Sequence, residues 1–293
     1  MHMKIDLHAH SSWSDGADSV TEVFRAARAA GVDVLALTDH DTTKGWEEAC
    51  SIAAELGMGF VPGIEVTTRA RVNVHRPFGV HMLAYLPDPS HPALGEVLGE
   101  TLEKREVRLR ALFDLVAPHY PITWQDVLDQ LREGATFGRP ALAAALVARG
   151  HFEHTNDVFA QLWGDGDDRF YIPNRGVVET IDAIRLIRQA GGVPVIAHPM
   201  ARGKGPVEGS PMPRAHFIEL IEAGLAGFEV FHRDVPEHAR RWLIDLAKEF
   251  DLVLTGSSDY HGNRKHNLLG ENTTTLEMLE RIVAQASGTP ALL

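Results

Sequence analysis

The sequence predicts an α/β protein, either a β/α barrel or a doubly wound sheet. Three observations predict it. Short apolar runs recur along the chain and end in polar, chemically capable residues. Amphipathic helical patterns, often closed by glycine, lie between most of them. Between roughly residues 100 and 170 the helical patterns continue with no strand between them, which marks an insertion.

The apolar runs are Lys4–His8, Asp33–His40, Phe60–Val66, Gly79–Tyr85, Val193–His198, Gly227–His232 and Leu252–Asp259. Their length and β-branched content suit buried strands of a parallel sheet. Ser19 can cap a helix through Ala30, with Gly31 just past its end. Thr42 or Thr43 can start a helix to Leu56, followed by Gly57. Further helices are expected over Glu179–Ala190, Arg214–Ala223 and Pro236–Phe250. The insertion holds expected helices at Glu100–Val116, Trp124–Glu133, Pro140–Arg149 and Asn156–Trp163. The chain thus divides into residues 1–99 and 171–293, forming the barrel, and a helical cap over 100–170.

Composition narrows the function. The 293 residues are 44% hydrophobic and 23% charged, ordinary for a globular protein. The N-terminus has no apolar stretch of signal-peptide length, and no run reaches the roughly 20 residues that span a bilayer. With Cys50 as the single cysteine, no intrachain disulfide forms, and a cytoplasmic location is expected. Cys50 falls in a helical pattern, where a structural role is expected rather than a catalytic one. The net charge of −12 argues against tight binding of long duplex nucleic acid. It does not argue against a small anionic substrate, because a metal site brings its own positive charge. Histidine stands out, at 16 residues.

Chemistry-bearing residues gather at strand ends: His8 and His10, then Asp39, His40 and Asp41, Glu65, His81, His198, and Asp259 with His261. In parallel β/α folds the carboxyl ends of the strands converge on the ligand. His8-Ala9-His10 and Asp259-Tyr260-His261 have i, i+2 spacing, which places both side chains on one face of an extended segment. Three ionisable groups after the second strand need a metal or a salt-bridge network if buried. Asp41 alone is explained equally well as a helix cap. Glu65 interrupts an apolar run, and its two oxygens can bridge two cations or join a buried salt bridge. His81 lies inside a strand pattern and His75 in a turn, so His81 is the preferred ligand. Nitrogen and oxygen donors without cysteine suit Mn²⁺ or Zn²⁺, with Fe²⁺ as a further option. From the ligands alone, an amidohydrolase fits as well as a phosphoesterase.

His8-x-His10, Thr38-Asp39-His40-Asp41, Glu65, His81-Met82-Leu83-Ala84-Tyr85, Ala197-His198-Pro199 and Gly256-Ser257-Ser258-Asp259-Tyr260-His261-Gly262 resemble, in order, the motifs of the PHP (polymerase and histidinol phosphatase) family. The insertion and Gly138-Arg139-Pro140 are most similar to the branch of 3′,5′-nucleoside bisphosphate phosphatases and a related 5′-to-3′ exoribonuclease. The resemblance implies a distorted seven-stranded, TIM-like β/α barrel with a small helical insertion. It implies three ions: one on His8, His10, Glu65 and Asp259, a second on Glu65, His81 and His198, and a third on Asp15, His40 and His261. Asp15 enters through the resemblance; by itself it reads as a turn residue. Ala141 departs from the histidine that many relatives carry after Gly-Arg-Pro, so a substrate contact assigned there does not transfer.

The expected activity is hydrolysis of the 3′-phosphate of a nucleoside 3′,5′-bisphosphate. Glu65, Asp259, His198 and His232 are the expected catalytic residues, with His232 or His198 as general acid. His232 also reads as a rim residue with no role. Arg105, Arg108, Arg139 and Arg175 are expected to hold the second phosphate, although Arg105 and Arg108 also fit a solvated helix face. The partners expected are a small nucleotide and short oligonucleotides, with no membrane. Exonuclease action on short 5′-phosphorylated strands is the runner-up, favoured by an open channel beside the insertion, whereas a closed pocket favours the phosphatase. Histidinol-phosphate phosphatase activity and a non-catalytic metal-binding module are further alternatives, the last disfavoured by the complete ligand set.

Overall fold

The computed structural model describes residues 3–71, 78–164, 168–174, 176–201 and 213–293. Seven strands follow chain order around one sheet: β1 (Ile5–Asp6), β2 (Val34–Leu37), β3 (Gly59–Ala70), β4 (Phe78–Tyr85), β5 (Val193–Ile196), β6 (Gly227–Phe231) and β7 (Val253–Gly256). The first and last strands approach at the mouth, where the Ala9–Tyr260 bridge is closed by hydrogen bonds from His10 N to Tyr260 O and from Asp259 N to His8 O, both 2.9 Å. The result is a nearly closed, distorted barrel.

The sheet is not wholly parallel, as the sequence suggested. β4 runs antiparallel to both β3 and β5. The physical reason is the length of the connection: β3 ends at Ala70 and β4 begins at Phe78, whereas a parallel return needs a crossover of a dozen or more residues. The reversal has a consequence for the site. The beginning of β4, rather than its end, lies at the barrel mouth, so His81 sits opposite Thr67 of the long β3.

Two apolar layers sandwich the strands. Leu35, Phe60, Met82, Ile196 and Phe228 pack against the outer helices. Val34, Val61, Leu83, Tyr85, Val195 and Val253 form a separate inner cluster. Alternation along each strand then aims specific polar residues inward. Glu65 has the parity of Val61, His81 has that of Leu83 and Tyr85, and Glu229 lies between the outward Phe228 and Val230.

The outer helices are α1 (Val20–Ala29), α2 (Trp46–Leu56), α7 (Thr180–Gln189), α8 (Arg214–Glu222) and α9 (Glu237–Glu249). Ser19 caps α1 as expected, in a reciprocal box with Glu22. α2 starts at Trp46 with Gly45 as its cap, later than Thr42 or Thr43, because residues 38–45 are drawn into the barrel mouth instead. Gly57 closes it at φ 61°, where glycine pays no Cβ penalty. A further helix, α10 (Leu276–Gln285), was not expected from the sequence; its Leu279 and Ile282 pack into the inner cluster.

The insertion consists of α3 (Pro92–Val116), α4 (Trp124–Leu128), α5 (Arg139–Ala148) and α6 (Thr155–Trp163). α3 begins earlier than Glu100, at a proline behind the His91 cap, and α4 stops short of Glu133. The insertion has its own core, built from Leu109, Leu112, Val127, Leu142, Val158 and Phe170 among others. Ala141 is 1% exposed within that core. A residue so placed packs the cap, which accounts for alanine there. Cys50 is exposed on α2.

Candidate metal centre

The polar residues of the barrel mouth converge around Glu65. Its Oε1 lies 2.8 Å from His81 Nδ1 and 3.2 Å from His198 Nε2. Its Oε2 lies 3.2 Å from His8 Nε2, 3.1 Å from His10 Nε2 and 3.2 Å from His40 Nδ1. Glu65 itself is 1% exposed. Burial alone would raise its carboxyl, but His40, His81 and His8 outweigh burial and hold it well below the usual range. One carboxylate thus presents each oxygen to a different set of imidazoles.

Three groups of donors lie close enough to share an ion: His8, His10, Glu65 and Asp259; His10, Asp15, His40 and His261; and His40, Glu65 and His81. The groups overlap more than the sequence suggested. His10 borders the Asp15 group through Nδ1, 3.6 Å from Asp15 Oδ1, and His40 borders the His81 group. His198 meets Glu65 Oε1 but falls outside these three groups. Asp15 joins the cluster as the resemblance implied, 3.1 Å from His261 Nε2 and 3.6 Å from His40 Nε2. His75 and Arg175 lie outside the described residues.

Second partners fix which ring nitrogen faces inward. His8 Nδ1 lies 2.9 Å from Glu229 Oε1. Ser14 Oγ donates to Asp39 Oδ1 at 2.5 Å, so it is free to accept from His10 Nδ1, 3.3 Å away. His261 Nδ1 donates to the carbonyl of Asp259 at 2.8 Å. In all three rings the Nδ1 proton is used outward, leaving the Nε2 lone pair aimed into the cluster.

These donors fit divalent ions. His8 Nε2 and His10 Nε2 are 2.9 Å apart. Two nitrogens bound to one ion at about 2.0–2.1 Å sit at about that separation. His40 Nδ1 and His261 Nε2 are buried and close to carboxylate oxygens, yet neither makes a hydrogen bond. Donor atoms at contact distance without hydrogen-bond alignment are expected of groups that share an ion. Asp41, His198 and Asp259 hold positive φ values of 54°, 31° and 54°. Such backbone is uncommon outside glycine, and its concentration at the mouth marks a functional site.

Sequence reasoning passed over Glu229 and Lys265, and it singled out Asp39 without giving it a specific role. Glu229 is fully buried in β6, orients His8, accepts from the strained His198 N–H at 2.7 Å, and contacts Ser257 Oγ. Burial opposes its charge, but His8 outweighs it and the carboxyl falls to about 2. The argument that singled out Glu65 applies equally to Glu229, a carboxylate inside an apolar run. Asp39 anchors Ser11 and Ser14 and thereby His10. Lys265 places Nζ 2.8 Å from Asp259 Oδ2; no sequence pattern signals it.

His232 is 1% exposed and therefore no rim residue. Its Nδ1 accepts from Asp234 N at 3.1 Å, which puts the ring proton on Nε2. That nitrogen makes no hydrogen bond and lies 3.5 Å from Asp259 Oδ2. His232 is thus wired as a donor, opposite to the ring pattern of His8, His10 and His261.

Asp41 does not cap α2. It accepts from Thr67 N and Oγ1 at 2.7 Å each and pairs with Arg105 Nε at 2.7 Å. Arg105 also donates to the Phe137 carbonyl and Thr67 Oγ1, so every nitrogen of its guanidinium has a partner within the chain. Arg108 donates Nε to the Ile172 carbonyl. Arg139 lies 5.6 Å from the Phe159 and Trp163 ring centroids. Other contacts tie the cap to the mouth: Thr136 N to Trp13 O, Thr136 Oγ1 to His40 O, and Lys44 Nζ to Gly134 O.

Comparison with known proteins agrees with this geometry. The PHP domain model matches residues 6–139. The chain is 34% identical to the phosphoribosyl 1,2-cyclic phosphate 1,2-diphosphodiesterase of Eggerthella lenta, over 88% of this chain and 94% of that one. It is 31% identical to a 5′-3′ exoribonuclease of Haemophilus influenzae, over 97% and 98% respectively. It is 34% identical to the 3′,5′-nucleoside bisphosphate phosphatase of Chromobacterium violaceum over 67% and 66%. A candidate metal-dependent phosphoesterase from Bifidobacterium adolescentis superposes with a TM-score of 0.90 at 34% identity, covering 97% of each chain. Among the described residues no helix is long and apolar enough to cross a membrane. With its barrel, its histidine and carboxylate cluster able to bind metals, and these relatives, the chain belongs to the PHP domain family of metal-dependent phosphoesterases.

Proposed function

We propose that the protein is a phosphomonoesterase that removes the 3′-phosphate of a nucleoside 3′,5′-bisphosphate, using two or three divalent ions, Mn²⁺ foremost. The observation that carries the reading is the division of Glu65 between two sets of histidines. His8, His10, Asp15, His40, Glu65, His81, His198, Asp259 and His261 are the proposed ligands. Divalent ions supply Lewis acidity toward phosphoryl oxygens and a nucleophile from water near neutral pH.

The chain's own residues do the rest. Glu229, Ser14 and the Asp259 carbonyl hold three imidazoles in the ligating tautomer. His81 and His198 have side chains 35% and 25% exposed, against 0% for His8 and His10, so substrate enters over them. His232 offers an Nε2–H beside Asp259 and is the better candidate to protonate the ribose oxygen as it leaves, an effect worth about 10²–10⁴-fold. His198 is better suited to binding, because its Nε2 faces Glu65.

One observation favours the exonuclease as a second reading: the exoribonuclease relative matches nearly the whole chain. The test is phosphate or nucleotide release from adenosine 3′,5′-bisphosphate, a 5′-phosphorylated dinucleotide, a ribose 1,2-cyclic phosphate and histidinol phosphate, with Mn²⁺ present. The bisphosphate is expected to be turned over best. If it is the slowest of the four, the substrate assignment is wrong.

A further inference from the structure

Arg105 reaches from α3 of the insertion to the barrel mouth without joining the donor cluster. Its Nε donates to Asp41 Oδ2 at 2.7 Å, its Nη2 to Thr67 Oγ1, and its Nη1 to the Phe137 carbonyl at 3.2 Å. Its side chain is 15% exposed and that of Asp41 is fully buried. A buried ion pair is weak as a source of stability in its own right. The partners of this one point to another use.

Each partner adjoins an ion ligand. Asp41 follows His40 on backbone at φ 54°, and its N–H donates to the Glu65 carbonyl at 3.2 Å. Thr67 lies two residues beyond Glu65 on β3, so the two side chains share a face, and it stands directly opposite His81 on β4. Asp41 accepts from Thr67 N and Oγ1 at 2.7 Å each, which closes a triangle with Arg105. Phe137 follows Thr136, whose Oγ1 donates to the His40 carbonyl at 2.9 Å. One guanidinium from the cap therefore pins the loop that carries His40 against the ladder that carries Glu65 and His81. Those three residues form one of the donor groups of the mouth. The neighbouring group is braced from within the barrel instead, by Glu229 behind His8, Ser14 behind His10 and Lys265 behind Asp259. His40 Nδ1 has no hydrogen bond among the described residues, so that ring depends on its backbone for its place.

We infer that Arg105 is a positioning residue for the His40, Glu65 and His81 ion site, and that the docking of the cap thereby sets how tightly this ion is held. Arg105 acts through Asp41 and Thr67 and touches neither ion nor substrate. This role rests on the metal-dependent reading above and is independent of which phosphate ester is cleaved.

Mn²⁺ binding without substrate tests it, titrated by the electron paramagnetic resonance signal of the free ion. In R105M at least one class of sites is expected to weaken about 10–100-fold, the range for a residue that orients a ligand. T67V removes one corner of the triangle and should weaken the same class at least threefold; if R105M does not fold, T67V decides. R149M breaks the Arg149–Asp126 ion pair inside the cap and should leave every class within threefold. Anomalous maps of R105M crystals grown at limiting Mn²⁺ should lose the peak beside His81 and keep the one beside Asp259. Affinities within threefold of the parent in both R105M and T67V overturn the inference. So does an R149M that loses as much as R105M, or an even loss of both peaks. A parent protein that binds Mn²⁺ but cleaves no bisphosphate refutes the substrate reading and leaves this measurement to decide Arg105. A parent that binds no divalent ion overturns both.

Discussion

The barrel mouth and the helical cap use charge in opposite ways. At the mouth, histidines and carboxylates are buried against one another, several with donor atoms that have no hydrogen bond, on a backbone forced into positive φ. In the cap, Arg105, Arg108 and Arg149 are paired with carbonyls and carboxylates, and Arg110 lies over an aromatic face, around an ordinary apolar core. The mouth is organised for ions it must hold, and the cap for its own folding and attachment. Substitutions at the mouth should therefore change chemistry far more than stability, and substitutions in the cap core the reverse.

The sharpest way to break that contrast is Glu65→Ala. Phosphate release from every substrate should fall by about 10³-fold or more, since one change removes an oxygen from two ion sites. Retained activity would show that Glu65 does not bridge. Glu229→Gln comes next. It keeps the shape but weakens the orientation of His8, and metal affinity should drop about 10–100-fold in a titration. An unchanged affinity would reduce Glu229 to a structural residue.

The contrast also predicts a pH dependence. In the ion-free protein burial opposes charge on His10, but hydrogen bonds with Asp259 and Glu65 outweigh it and raise the ring to about 9; His8 is raised as well, by Glu229 and Glu65. A raised histidine contributes stability that is fully present below its unfolded pKa of about 6.5 and is lost as pH rises toward the folded value. The Tm of chelated protein should thus decline between about pH 6.5 and 9. Ions must displace those protons, so stabilisation by Mn²⁺ should grow over the same range. A chelated protein whose Tm rises with pH there would contradict this. The smallest effect on chemistry is expected from Leu142→Ala, in the cap core. It should cost about 2–5 kcal/mol of stability, read by denaturant unfolding, with activity per folded molecule changed less than twofold. A large loss of activity would mean that the cap core shapes the mouth directly.

Much of the mouth was legible in the sequence because its residues break apolar runs, and a run broken by a carboxylate or histidine has few physical explanations. Glu65 and His81 were singled out that way, Asp259 by its place at a strand end two residues before His261, and Glu229 obeyed the same rule unnoticed beside His232. Asp15 was not, because an aspartate in a turn is ordinary. The reversal of β4 had a weak signal in the missing crossover helix. Arg105 shows the opposite limit. Its spacing to Arg108 was readable, but its partner Asp41 is 64 residues away, and only the fold shows that the charge is already paired. Lys265 likewise depends on the path of the loop after β7.

The claim on which the account rests is that one carboxylate is shared between ions. Anomalous diffraction at the manganese edge, from crystals grown with Mn²⁺, tests it directly. The account predicts at least two peaks about 3.5–4 Å apart, one beside each oxygen of Glu65. A single peak, or peaks that leave Glu65 uncoordinated, would contradict it.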